Sequence, residues 1–556
     1  MGVPQLLVLA GGGSVLLRRL MPQHSSGLGA DLVFLFLALA LANFLWKVWI
    51  YQPLIGPLRH IPTPPGRNIL LGETFRILRD PTGMPAREWI RTVPNQGMIR
   101  YSIWGQERLL VTSPEAFGEV LVKRNYDFVK PDHLRRTLSR LLGVGILLAE
   151  GDQHKRQRKT LMPAFAFRHV KDLYSVFWGK AKELTECLSA ASSAAPDVTQ
   201  EKGDYPKTSS GASDHAPGVV PVTEWASRAT LDIIGLAGMG QDFDSLHNDK
   251  NELNITYRKV FGPSRAAIIL QFLTLLIPSW IVSRLPVKRN SDIAEAAGFI
   301  SQKCRELVAQ KRKSMLEKER VEVDILSVAI ESGGFSDEEL VNQMMTFLAA
   351  GHETTATAMT WAIFELCRHP EIQSRLRAEV RARLPSPDAD INADDIDGLD
   401  YLQAVCSETL RLWSPISITL RAACCDTSIL GQFVPKGTPV ILSPWATNAD
   451  TRLWGADADE FVPERWLDRD GRANKNGGAE SNFSSLTFLH GPRSCIGQKF
   501  AVAEFKCLLA AWVGRFQMEF EEGSPLTRPG MPEIVGGITA KPKGGLWVKM
   551  GEISGW

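Results

Sequence analysis

Cysteine is scarce in this chain: eight among 556 residues, at positions 187, 304, 367, 406, 424, 425, 495 and 507. That is too sparse for a disulfide-built scaffold. No C-x-x-C pair occurs, which argues against a zinc ribbon or a thioredoxin-type site. The pattern fits a reducing compartment with mostly buried thiols. Charge of either sign is nearly balanced, at +2, so no global excess points to nucleic acid. Few segments alternate as strands do, and no regular repeat of strand and helix appears, which argues against a Rossmann or barrel fold. Hydrophobic residues are 44% and charged residues 22%, which excludes a mostly disordered or collagen-like chain. At roughly 150 residues per domain, length alone suggests three or four domains.

Long apolar runs are present at one end. Leu32 to Ile50 is interrupted only by Asn43 and Lys47. As a helix it reaches about 28 Å, close to the thickness of a bilayer's hydrocarbon layer. Trp46, Trp49 and Tyr51 follow at the end where amphipathic rings favour an interface. A membrane anchor over 31–51 is expected in preference to a buried core helix. The run Val3 to Leu17 is weaker, holding Gln5, Ser14 and Gly11 to Gly13. Within a leader over 1–30 it reads as a second span, a re-entrant piece or an unstructured segment. No basic stretch precedes it, so a cleaved signal peptide is disfavoured. Arg18 and Arg19 precede the anchor while Lys47, Arg59 and Arg67 follow it, which leaves orientation open. Pro53, Pro57, Pro62, Pro64 and Pro65 exclude helix and predict a stiff hinge over 52–66. The body then occupies 67–556.

In that body, Gly97 to Thr112 reads as two strands turned at Gly105. Ser113, Pro114 and Glu115 open a helix. Ala190 to Pro221 is rich in Ser, Ala, Gly and Pro and reads as a long surface loop. Ile268 to Ile277 is apolar but too short to span; a core segment and a surface dipping into a membrane both remain open. Ser336 and Glu339 form a capping box, and the pattern runs helically to about His369, where Pro370 stops it. That is about 48 Å of helix, enough to cross the whole body. The expectation is a mainly α fold with small β-sheets.

The sharpest signal is Phe488-Leu489-His490-Gly491-Pro492-Arg493-Ser494-Cys495-Ile496-Gly497, ahead of an apolar helix. A tight loop of this kind aims backbone N–H groups at the sulfur and favours the thiolate. Arg493 places a guanidinium near an anionic cofactor edge. A lone cysteine is usually inert; this frame argues otherwise.

The spacing Phe488-x-x-Gly491-x-Arg493-x-Cys495-x-Gly497 resembles the haem-ligand loop of the cytochrome P-450 superfamily, the haem-thiolate monooxygenases. The resemblance implies one large helical catalytic domain over 67–556, with Cys495 as the axial ligand to the iron of haem b. Glu408-Thr409-Leu410-Arg411 is similar to the family's E-x-x-R element, and Phe461 to Trp466 to the segment supplying a second arginine. Together they imply a structural ion network of Glu408, Arg411 and Arg465. Ala350 to Thr355 resembles the family's oxygen groove, a local distortion of the long helix, with Glu353 and Thr354 as the acid–alcohol pair that relays protons. Glu150 to Lys159 resembles the helix that binds the haem propionates. His154 stands where a Trp is usual, but an imidazole N–H can still donate to a carboxylate. Arg158 keeps its place, and Arg421 and Arg493 are further propionate candidates. Lys155, Arg156 and Lys159 offer a basic face for an acidic flavoprotein.

The implied activity is a monooxygenase that inserts one oxygen atom of dioxygen into a lipophilic substrate. Electrons come from NADPH through a flavoprotein reductase, with cytochrome b5 as a second donor, on the cytosolic side of the endoplasmic reticulum membrane. Phe347, Ala350, Ile416, Ile418, Thr419, Ile538 and Thr539 are the expected pocket residues. Loop style is similar to fungal members that tailor secondary metabolites such as terpenoids or polyketides. Two alternatives are a haem-thiolate isomerase or dehydratase needing no dioxygen, and a membrane haem protein without catalysis.

Overall fold

The structure is a computed structural model. It describes residues 3–556 except 21–22, 24–26, 194–215, 263–265, 267–268, 271–272, 275–276, 278, 318–323, 385 and 387.

The N-terminal region folds as two helices, α1 (Val3–Leu20) and α2 (Leu28–Trp46), lying against each other. Leu6, Ala10 and Ser14 of α1 are buried, and Gly13 approaches Leu35 closely. From Leu28 to Ile55 the helix is continuous, and it is long and apolar enough to cross a membrane. Val33, Phe34, Leu37 and Leu41 are exposed. Pro53 departs from its expectation: it lies inside a π-helical stretch, Lys47–Ile55. A proline costs a helix its N–H and crowds the carbonyl four residues back; the wider turn, which bonds five residues back, eases the crowding although the donor is still missing. Gly56 N–H caps the turn on the Tyr51 carbonyl.

The segment after it is seated on the body. Gln52 Nε2 donates to the Gly105 carbonyl at 2.6 Å, and Arg100 Nη1 donates to the Gln52 carbonyl at 3.1 Å. Leu58 and Ile61 are buried in the sheet's core. Their receiving surface is the hairpin of β1 (Met98–Ile103) and β2 (Gln106–Val111). Its two-residue loop, Trp104 and Gly105, has φ of 50° and 67°, the geometry whose twist matches paired strands.

Strands β3 (Phe128–Val129), β4 (Val219–Pro221), β5 (Thr419–Ala423), β6 (Thr427–Ile429), β7 (Gln432–Val434), β8 (Pro439–Leu442), β9 (Phe516–Phe520), β10 (Ile534–Gly536), β11 (Ala540–Pro542) and β12 (Trp547–Glu552) complete four small sheets among the described residues. The largest has the order β1-β2-β8-β5-β3. The expected loop from Ala190 is shorter at both ends. Helix α5, given below, runs to Ser193, and β4 pairs with β12, Val220 opposite Val548; 194–215 lie outside the described residues. The apolar run 268–277 also lies largely outside them.

The helices that build the site are α3 (Asp132–Leu142), α4 (Gly151–Leu161), α5 (Tyr174–Ser193), α6 (Val222–Met239), α7 (Lys288–Leu316), α8 (Asp337–Arg368), α9 (Pro370–Arg383), α10 (Asp400–Leu412) and α11 (Gln498–Arg515). The capping box of α8 forms as expected: Ser336 Oγ accepts the Glu339 N–H and Glu339 Oε2 accepts the Ser336 N–H. Three acidic residues in its first turn complement the helix dipole. Most of α8 is buried, and α6 and α11 pack against it.

A stack of tryptophans locks α8 to the chain beyond α10. Trp361 and Trp413 lie face to face with centroids 4.0 Å apart, and Trp445 meets Trp413 edge-on. Burying an indole N–H costs free energy unless it is bonded. Each one is: Trp361 to the Ala540 carbonyl, Trp413 to Glu365 and Trp445 to the Ser414 carbonyl. The loop after α3 is clipped to α8 in the same manner. Asn342 accepts the Val144 N–H, Gln343 accepts the Ile146 N–H and Thr346 donates to the Leu142 carbonyl. Gly143 and Gly145 allow this approach, since a Cβ on either would overlap Asn342 or Thr346.

Candidate active site

The cysteine loop is shaped by backbone demands that few residues meet. Leu489 and Gly491 both have positive φ, 54° and 75°. A Cβ on Gly491 would overlap the Leu121 carbonyl oxygen, so glycine is required by conformation and by space. Gly491 to Arg493 forms a 3-10 turn with Pro492 near its start. The chain then folds back, and Cys495 N–H donates to the Phe488 carbonyl at 2.9 Å. Three residues later α11 begins, and the N–H of its N-cap, Gly497, bonds to the Cys495 sulfur.

Cys495 is accessible yet enclosed. Burial raises its thiol above the ordinary range, while the Gly497 N–H and Arg158 pull the other way without prevailing. The loop therefore favours the thiolate less than its sequence suggests. A coordinated metal ion would deprotonate the thiol outright.

Around this sulfur the fold gathers positive charge. Arg158 on α4 donates to the Ser494 carbonyl at 2.7 Å and to Ser494 Oγ at 3.2 Å. Arg421 on β5 is buried and bonds Thr419 Oγ1 and the Leu420 carbonyl; burial and Arg493 hold it down at about 10. The Arg493 side chain is 4% exposed and contacts Glu150, but none of its N–H groups completes a hydrogen bond. His154 is buried, with Nδ1 3.3 Å from the Tyr126 hydroxyl. Burial, then Arg493 and Arg158, push its ring down to about 4, so it is neutral near pH 7.

Composition and motif did not mark Lys130, which follows β3. Burial, Arg421 and Arg493 push it down to about 7. Among the described residues Glu150 is the carboxylate that meets these cations: its Oε1 accepts the Lys130 N–H and its Oε2 meets Arg493. Arg421, Arg493 and Lys130 thus share the Glu150 carboxylate, while Arg158 lies beside Cys495. An uncompensated buried charge costs several kcal/mol, and the unsatisfied Arg493 N–H groups mark where an anionic partner fits. A haem, with two carboxylates at one edge and an iron to take the sulfur, suits this donor set.

Beyond the loop, Glu408 and Arg411 form a fully buried pair, with Arg411 Nε 2.7 Å from Glu408 Oε2. Arg465 Nε lies 2.9 Å from Glu408 Oε1, and the Trp466 indole and the Val462 N–H also donate to this carboxylate. Arg411 spends its remaining N–H groups on the carbonyls of Asn448, Ala458 and Glu460. Every strong polar group is matched, as a buried ion pair requires. The network ties α10 to the chain that leads into the cysteine loop.

The centre of α8 faces the loop through one ring. Phe165 meets Phe347 edge-on at 5.4 Å, and its Cε1 would touch a Cβ placed on Gly497. On the same helix, Ala350 is exposed and Thr354 half-buried amid buried neighbours, one turn apart. The expected distortion takes a milder form: the helix is unbroken. Thr354 Oγ1 donates to the Ala350 carbonyl at 2.8 Å, Thr355 Oγ1 to the Gly351 carbonyl at 3.4 Å, and Thr230 of α6 to the His352 carbonyl at 3.0 Å. Three successive carbonyls thus take an extra donor, a pattern that bends helices without interrupting them. Gly351 lets α6 approach, because a Cβ would crowd Ile234.

Glu353 is buried, and its Oε1 takes Thr539 and Lys541 as partners. Among the other pocket expectations, Phe347 is buried, Ile416, Ile418 and Thr419 are half-buried, and Ile538 is exposed. The basic face on α4 is thinner than its composition implies. Arg156 is paired with Glu339 and Lys155 with Asp152, leaving Lys159 exposed.

Residues 62–547 match the family model described as Cytochrome P450. Similar proteins include the cytochrome P450 monooxygenase sphH of Aspergillus fumigatus, 45% identical over 95% of this chain and 94% of that protein. The cytochrome P450 monooxygenase ALT8 of Alternaria alternata is 44% identical over 92% of this chain and 93% of its own length. The cytochrome P450 monooxygenase FUM15 of Gibberella moniliformis is 42% identical, covering 92% and 91%.

Proposed function

The chain belongs to the cytochrome P450 family of monooxygenases, and from that premise we propose a membrane-anchored enzyme that oxygenates a lipophilic substrate with electrons from NADPH. The observation that carries this reading is Cys495: accessible, bonded by the Gly497 N–H, and set beside a surplus of buried cations. Cys495 supplies the thiolate to the iron of haem b. Arg421, Arg493, Lys130 and His154 receive the two carboxylates, while Arg158 holds the loop and Phe488 supports it through its carbonyl. Bound there, haem activates dioxygen and supplies the oxidant.

The protein positions and insulates. Phe165 and Phe347 exclude water beside the loop. Ala350 leaves room over it, and the Thr354 hydroxyl and Glu353 carboxylate hold and pass protons. The half-buried apolar residues Ile416 and Ile418 favour an apolar substrate, with terpenoid or polyketide secondary metabolites as the expected class. Exposed Ile69, Leu70, Phe75 and Leu78, together with the Leu28–Ile55 helix, support seating on the endoplasmic reticulum membrane with residues 67–556 in the cytosol. Lys159 offers a contact to a flavoprotein reductase, and cytochrome b5 is the further donor.

The test is Cys495→Ala. The purified wild-type chain should show a haem-thiolate spectrum and the variant should lose it; an intact spectrum in the variant refutes the ligand assignment. A screen of lipophilic compounds for a low-to-high-spin shift then finds the substrate. Turnover without NADPH would favour the isomerase alternative.

A further inference from the structure

Glu353 has a counter-ion that comes from the far end of the chain. Its Oε1 accepts the Thr539 hydroxyl at 2.8 Å and lies 2.6 Å from Lys541 Nζ. Oε2 has no partner among the described residues. The carboxylate is thus held by one oxygen and open at the other.

The donor side is rigid. Thr539, in the bend before β11, and Lys541 within it both reach the same Glu353 oxygen, while Ala540 between them is fixed by its backbone. The Ala540 carbonyl accepts the Trp361 indole, and its N–H donates to the Pro415 carbonyl. Lys541 also pairs with Val535 of β10. The side chains differ in access: Glu353 is 8% exposed and Lys541 26%. Lys541 is therefore where this buried acid meets the solvent.

We propose that Lys541 is a positioning residue for Glu353, pinning one carboxylate oxygen with the help of Thr539, keeping the acid ionised and leaving Oε2 to take a proton from solvent and pass it towards Thr354. This rests on the relay role given to Glu353 and Thr354 above. Oε2 gains one proton from solvent hydronium at the Lys541 side, leaving neutral water, and loses one on the Thr354 side; the carboxylate is restored and no bond to carbon changes.

The surrounding groups leave Lys541 as the deciding charge. Burial alone raises the Glu353 carboxyl, but Lys541, His352 and Thr539 outweigh it and hold it below the ordinary range. Burial pushes the ring of His352, its neighbour on α8, below its ordinary value, so it is uncharged near pH 7. Glu504 on α11, next to Thr355, is raised well above the ordinary range by its own burial.

The test compares wild type, Lys541→Met, Lys541→Arg and Glu353→Gln as haem-loaded full chains. Infrared difference spectra across pH, with Glu353→Gln subtracted, report protonation of Glu353. Lys541→Met should move that titration upward by about one pH unit or more, and Lys541→Arg should restore it. The pH profile of NADPH consumption with added reductase should move the same way. A Glu353 signal that titrates as in wild type when Lys541 is Met overturns the proposal. All four proteins should keep the thiolate spectrum. Its absence from wild type would sink the haem-thiolate reading instead, separately from the infrared result.

Discussion

Arg158 donates two hydrogen bonds to Ser494, one to its carbonyl and one to its hydroxyl. The residue before the candidate iron ligand is therefore held by a helix 336 positions away in the chain. Bonds from a charged donor contribute about 1.5–3 kcal/mol each. Arg158→Met should cost roughly 3 kcal/mol or more in urea unfolding and weaken haem retention during gel filtration. Retention equal to wild type would show that the loop does not depend on this clamp.

The Glu408–Arg411 pair yields a prediction with a built-in contrast. Removing one partner from a buried pair leaves a stranded charge and costs about 3–5 kcal/mol. Arg411→Met should therefore give little soluble protein. Glu408→Gln with Arg411→Met removes both charges of the pair and leaves Arg465 its bridge to Asp457, so the double variant should recover part of the loss, read as yield and thermal midpoint. A double variant worse than the sum of the singles would contradict a mainly electrostatic origin.

Gly491→Ala meets two penalties at one position. Its φ of 75° disfavours any Cβ, and the added methyl would overlap the Leu121 carbonyl oxygen. Backbone strain of this kind costs about 1–3 kcal/mol before the clash is counted. The variant should load haem poorly while the far-UV circular dichroism of the helical body stays intact. Normal loading would mean that the turn can be rebuilt.

Lys130 links cofactor loading to pH. In the chain alone its burial, with Arg421 and Arg493, holds it at about 7 against an ordinary 10.5. The folded state then binds fewer protons than the unfolded between these values, so this group adds stability as pH rises through that window. Two incoming carboxylates favour the charged form. Haem loading at pH 8 should therefore take up protons, and loading at pH 6 should take up fewer. Calorimetry in buffers of differing ionisation enthalpy measures this, and Lys130→Met should abolish the difference.

What was legible in the sequence is what local rules govern. Ser336 and Glu339 are three residues apart, and the capping box forms as read. Ile99 to Ile103 alternates, Leu109 to Val111 returns, and the two strands pair about Gly105. Glu408 and Arg411 are one turn apart on α10, so their pairing follows from helix geometry. The remainder depends on contacts that spacing does not encode. Lys541 reaches Glu353 only because Trp361 and Pro415 grip the strand between Thr539 and Lys541. Lys130 looks like a solvated surface lysine until β3 places it among arginines. Pro53 reads as a helix breaker by its missing N–H and its ring, and the wider π turn that makes room for the ring is not written in local spacing.

Gln52 and Arg100 bolt the end of the apolar helix to the turn of the first hairpin. A swivel is thereby removed: helix and body must tilt as one piece. Whatever layer receives the helix also sets the compass bearing of everything beyond it, so lengthening the chain at Gln52 by one residue would rotate the whole body rather than merely slacken a leash.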